Sequence, residues 1–188
     1  MYQIMLFLHI LGVILMFVAV GGTLAGMFGM LYAKDVSALK LWSKLATKMD
    51  GFLPFSVILI LLPALHLVFT TWGWDTAWIN VSLVVLLLMT IAGPAINLRR
   101  LKGITQAVNN ETVAIPSANL IAKVRDRVLW TSVSIMTIIG LGIVYLMVIK
   151  PEIIHSLIAL AICIIVGWLF ANIALAYTKN KNTTTPVK

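Results

Sequence analysis

The sequence predicts an all-α, polytopic membrane helix bundle of about five transmembrane helices, and three observations predict it. Of the 188 residues 61% are hydrophobic and only 11% charged, whereas a soluble domain carries about 25% charged residues. A soluble chain this apolar would lack the side chains to cover itself, and a bilayer removes that need. Five apolar runs each reach the roughly 20 residues needed to cross the hydrocarbon layer. Finally, the lysines and arginines cluster on one side of the topology that these runs define. The length suits a single membrane domain, residues 1–178. A polar tail, 179–188, lacks an apolar pattern and is expected to be disordered.

The first span covers residues 4–31. Met1–Gln3 contain no basic residue, and the apolar run that follows is about 28 residues long, well beyond a secretory core of about 7–15. It reads as a retained transmembrane helix. At about 1.5 Å per residue it is roughly 42 Å long, so it must tilt or protrude. In residues 36–49, Val36, Leu39, Trp42, Leu45 and Met49 repeat at helical spacing, with Lys40, Lys44 and Lys48 on another face. This pattern predicts an amphipathic helix lying on an anionic inner leaflet, the alternative being a solvated helix packed on the ends of the bundle.

The second and third spans cover 52–71 and 78–98. Between them, Trp72 to Trp78 carries three tryptophans and no cation, as an aromatic belt at a membrane interface does. In the 99–127 loop, Arg99, Arg100 and Lys102 close the third span, Asn109-Asn110 marks a turn, and Pro116-Ser117 starts a helix. The fourth span covers 128–149 and the fifth 153–177.

With five spans, 13 of the 14 lysines and arginines share one side, and Lys150 stands alone on the other. The positive-inside rule then places the N-terminus outside and the C-terminus in the cytoplasm, in a multi-pass protein of a bacterial cytoplasmic membrane. The net charge of +8 belongs to the flanks of apolar runs, so the expected partner is lipid and not nucleic acid. The lone Cys163 forms no internal disulfide.

The three histidines gain meaning from this topology. His9, His66 and His155 all lie within the outer ends of their spans, roughly 7–10 Å below the surface at about 1.5 Å per residue. Ionisable groups at such depth usually face a bundle interior or a polar cavity, and neutral imidazoles ligate haem iron, copper or zinc. Two opposed imidazoles would hold a six-coordinate b-type haem; one would leave an open position on the iron. Depth does not fix rotation about each helix. Faces favour packing: His9, Gly12, Met16, Ala19, Thr23 and Gly26 share a side of the first span, and His155, Ala159, Cys163, Gly167 and Ala171 form a ridge on the fifth. Pro63, one turn before His66, frees the carbonyl of Leu59. His9 and His66 are the preferred iron ligands, each lying further from a loop than His155.

Other polar positions are fewer. Thr90, Gly93, Pro94 and Asn97 predict a kinked, polar half of the third span, and Ser134 and Thr137 share a side of the fourth. No Asp or Glu falls in the middle of a predicted span, which argues against a proton-coupled pump built on buried carboxylates. Met27 and Met30, one turn apart, suggest Cu(I) chemistry but sit far from the histidines. There is no phosphate loop, nucleophile elbow or zinc-protease motif.

The stretch Leu8-His9-Ile10-Leu11-Gly12-Val13, with Phe17 and Gly21-Gly22, is similar to a first-helix pattern of small bacterial membrane families. It resembles predicted integral membrane proteins of unassigned function and, more distantly, the HemJ-type protoporphyrinogen oxidases and copper-resistance D domains. The HemJ resemblance implies a b-type haem with His9 as its ligand. It departs at Phe17, where those proteins usually carry Trp, and in span number, typically four. Five spans and many tryptophans also resemble the tryptophan-rich sensory proteins. The expectation is a haem-binding membrane protein working in electron transfer, gas handling or porphyrin redox chemistry, with a redox partner or small substrate and in one form a haem-dependent oxidoreductase. The alternatives are a cofactor-free small-solute transporter and a structural partner of another membrane subunit.

Overall fold

The computed structural model describes the backbone of residues 1–183 and the side chains of residues 1–177. The predicted tail, 179–188, lies outside the described side chains. The elements are α1 (Tyr2–Tyr32), α2 (Val36–Leu67), α3 (Ala77–Ala92), α4 (Arg99–Asn109), α5 (Ala118–Val124), α6 (Arg127–Ile149) and α7 (Ile153–Thr183). Two π-helical segments, Val68–Trp72 and Gly93–Leu98, extend α2 and join α3 to α4. There is no strand among the described residues. Five continuous helical stretches are long and apolar enough to cross a membrane: Tyr2–Tyr32, Val36–Trp72, Ala77–Asn109, Ala118–Ile149 and Ile153–Tyr177.

The second stretch differs from expectation. Residues 36–49 do not form a separate interfacial helix, because α2 runs unbroken from Val36 to Leu67. Asp35 starts it by accepting the Ala38 N–H at 2.7 Å, which satisfies one of the donors a helix leaves open at its first turn. Lys40, Lys44 and Lys48 do face outward. The opposite stripe, Leu39, Ser43, Ala46 and Asp50, is buried at steps of four, three and four, so this half of α2 packs on the bundle.

The α1–α2 pair is packed at backbone distance. A β-carbon on Gly12 would stand 2.8 Å from the Ile60 nitrogen, and one on Gly26 would stand 2.8 Å from the Ala46 nitrogen. Neither could be accommodated without moving a helix. The small residues of α1 thus form a seam rather than a lipid face, as membrane helices use them to bring backbones together. The ridge on α7 does the same against α6: a β-carbon on Gly167 would lie 2.6 Å from the Ile135 Cα. That contact accounts for Gly167 and the fully buried Ala171.

One end of the bundle is closed by a compact core. Met27 and Met30 pack there with Leu39, Leu101, Ile104, Leu120, Leu129 and Trp130, so these methionines are core side chains. Asp126 caps α6 through Val128 N–H at 2.9 Å and pairs with Arg100. Trp130 Nε1 donates to the Val124 carbonyl at 3.0 Å, and Arg125 donates to the Leu175 carbonyl at 2.7 Å. These bonds tie α4, α5, α6 and α7 together at the lysine-rich end.

Candidate functional site

Two chambers lie one above the other along the bundle, and the same four helices, α1, α2, α3 and α6, line both. No described side chain of α7 lines either. Leu86 lines both chambers and forms a small apolar cluster with Ile60 and Ile143.

The chamber at the N-terminal end of α1 has a volume of about 530 Å³, within the roughly 300–1,000 Å³ of small-molecule sites. Its walls are apolar and aromatic, with Trp72 and Trp78 among them, and few polar groups: His9, Thr71, Thr76, Ser82 and Lys150. His9 is 6% exposed and its Nδ1 lies 3.0 Å from the Ile60 carbonyl oxygen. A carbonyl only accepts, so Nδ1 carries a proton, and in the neutral ring the lone pair is then on Nε2. The close approach at Gly12, one turn further along α1, makes this bond reachable. The bond falls on Ile60 rather than on the Leu59 carbonyl that Pro63 frees. The hydroxyls of Thr76 and Ser82 are buried without a hydrogen-bond partner, so each is available to a ligand. Lys150 ends α6 in the left-handed region, at φ 54° and ψ 50°, a conformation that strains a side chain with a β-carbon. Backbone strain of this kind gathers at functional sites.

The three histidines do not converge. His9 lines the chamber, while His66 is half-buried and His155 is exposed, and neither lines it. Among the described residues no three His, Cys, Asp or Glu side chains form a group able to hold a metal ion. Residues 64, 65 and 68 turn toward the chamber, and at about 100° per residue His66 is carried off to the side. Of the three imidazoles grouped by common depth, one lines the larger chamber.

The second chamber, toward the lysine-rich end, is small, about 80 Å³. Asp50, Thr23, Thr90, Asn97 and Thr137 bring polar groups into it. Asp50 is 5% exposed and Asn97 3%. The expectation of spans without an inward carboxylate is thereby corrected. Because α2 is continuous, Asp50 lies within a stretch long and apolar enough to cross a membrane instead of outside the predicted span 52–71. The signal was present in the buried stripe Leu39, Ser43, Ala46 and Asp50, whose helical spacing extends to the carboxylate. The π-helical segment Gly93–Leu98 carries Pro94 and Asn97, in agreement with the irregular, polar half predicted for the third span.

Comparison with known proteins gives no matching family model, no similar curated protein and no similar solved structure.

Proposed function

We propose that this multi-pass membrane protein binds a b-type haem in the larger chamber, with His9 as its one protein ligand. The observation that carries the reading is the His9–Ile60 hydrogen bond at 3.0 Å, in a helix wall of a chamber of about 530 Å³. A ligating histidine commonly donates its other ring nitrogen to a carbonyl or carboxylate, which fixes the tautomer and raises ligand basicity. Trp72 and Trp78 suit a flat aromatic face, and Lys150 suits a carboxylate at the rim. Bound haem would supply one-electron or gas-binding chemistry, with one iron position left for substrate or gas. The residues themselves orient His9, exclude water and place hydroxyls of Thr76 and Ser82 beside the guest. His66 and His155 have no part in this ligand set. The lysine and arginine distribution supports an orientation with this chamber in the outer half of a bacterial cytoplasmic membrane.

The test is a visible spectrum of the detergent-purified protein after expression with adequate haem. A Soret band is expected in the wild type and in His66→Ala and His155→Ala, and is expected to be lost or strongly shifted in His9→Ala. Absence of the band from the wild type refutes haem binding, and an unchanged band in His9→Ala refutes the ligand.

A second reading, a cofactor-free small-solute transporter, draws support from two chambers stacked through the same four helices. Solute flux into liposomes that survives loss of all three histidines would favour it.

A further inference from the structure

The smaller chamber is not used by the haem reading, and its polar lining has one chemical character. The Thr23, Thr90 and Thr137 hydroxyls donate to the carbonyls of Ala19, Leu86 and Val133 at 2.9, 2.7 and 2.8 Å. Each hydrogen is thereby committed, and the oxygens retain only lone pairs. Asn97 Nδ2 donates to Met136 Sδ at 3.3 Å. The sulfur is an acceptor, so the amide is set with its nitrogen there, and Oδ1 is left buried without a partner. Asp50 adds a carboxylate, and the one salt bridge among the described residues, Arg100–Asp126, does not involve it. The polar groups of this lining therefore present acceptors: one carboxylate, one amide oxygen and three hydroxyl oxygens.

An acceptor-only lining calls for a guest that brings positive charge or hydrogen-bond donors. At about 80 Å³ the space suits a guest the size of a few waters better than a bulky solute. Charge selects further. A single carboxylate in low dielectric balances a single positive charge, whereas a divalent ion would leave an uncompensated charge inside the membrane. Hard oxygen donors also suit an alkali ion better than a soft metal. We propose that Asp50, Asn97, Thr23, Thr90 and Thr137 form a binding site for a small monovalent cation, an alkali ion or ammonium.

The proposal is independent of haem and is tested without it. The thermal unfolding midpoint of the purified full-length protein is titrated with NaCl, KCl and NH₄Cl. Choline chloride holds the ionic strength constant. A saturable rise is expected for at least one small cation, because a ligand that binds only the native state stabilises it by mass action. The concentration for half the effect should rise by roughly tenfold or more in Asp50→Asn, a change of at least about 1.4 kcal/mol. Thr90→Val and Thr137→Val, which keep shape and remove one acceptor each, should weaken the response by smaller factors and serve if Asp50→Asn does not fold. His9→Ala should leave the response intact, which separates this outcome from that of the haem experiment. Equal midpoints in all four salts overturn the proposal, as does a response undiminished in the three chamber variants. A midpoint that follows pH alone, with no preference for any small cation over choline, also overturns it and assigns Asp50 to proton binding.

Discussion

The two chambers share four helices and differ in almost everything else. The larger is built on a seam of backbone contact, has aromatic walls, and offers a basic nitrogen, two idle hydroxyls and a lysine. The smaller is set at a π-helical segment and offers oxygen lone pairs around one carboxylate. Helix-bundle interiors are thus differentiated along their length by where donors are spent. Threonines whose protons are bonded to their own helix become acceptors, while Thr76 and Ser82, unbonded, keep both capacities. Residue type alone does not distinguish the two cases.

The comparison breaks most severely at Gly12. Gly12→Ala places a β-carbon against the backbone of α2 at 2.8 Å and is expected to destabilise the protein by about 1–3 kcal/mol, as overpacking does. It should also weaken occupancy of the larger chamber by displacing His9. Gly21→Ala, where a β-carbon meets nothing within 4 Å, should stay within about 0.5 kcal/mol of the wild type. Denaturant unfolding in a fixed micelle compares the two, and equal effects would remove the seam from the account. Next in size is Lys150→Gly. Relief of the left-handed strain at φ 54° is expected to raise stability by roughly 1 kcal/mol, while under the proposed function the Soret band should weaken with loss of the ammonium.

Ser82→Ala sharpens the same contrast at smaller scale. Its hydroxyl makes no hydrogen bond in the protein, so the unliganded protein should change by no more than about 0.5 kcal/mol, or become slightly more stable. A large loss of stability would mean that the hydroxyl is already satisfied. The smallest effect concerns Asp35, at the start of α2 and remote from both chambers. Hydrogen bonds from Ser37 and then Ala38 hold its carboxyl below the usual carboxylate range. A carboxyl depressed by folding stabilises the native state above its unfolded value, about 3.9, and loses that contribution as pH falls through the lower folded value. The stability difference between wild type and Asp35→Asn should therefore be constant near neutrality and shrink in the acid range below about pH 4.

Most of the architecture was legible in the sequence. Five apolar runs and their flanking charges give five crossing stretches, and Gly93, Pro94 and Asn97 announce the irregular segment. The function-bearing detail was less so. Common depth grouped His9, His66 and His155, but depth reports position along a helix axis, and only packing reveals rotation about it. Asp50 falls in the gap between the predicted helix 36–49 and the predicted span 52–71, although its spacing from Leu39, Ser43 and Ala46 follows the buried face. A polarity boundary along the chain was mistaken for a helix boundary. The Thr76 and Ser82 hydroxyls could not have been singled out, since serine and threonine in membrane helices commonly bond their own carbonyls.

The glycine seam between α1 and α2 has a mechanical consequence. Along Gly12, Gly22, Gly26 and Gly29 each missing side chain is occupied by an atom of α2: Ile60, Met49, Ala46 and Trp42. Neither helix can slide or roll by a fraction of a turn without collision. The hairpin therefore acts as a stator, holding His9 and Asp50 at a fixed axial separation. Any change in the volume of either chamber falls to α3 and α6, and α3 already carries a widened turn at Gly93–Leu98. The contacts at these glycines make the α1–α2 side the closest-packed wall of each cavity.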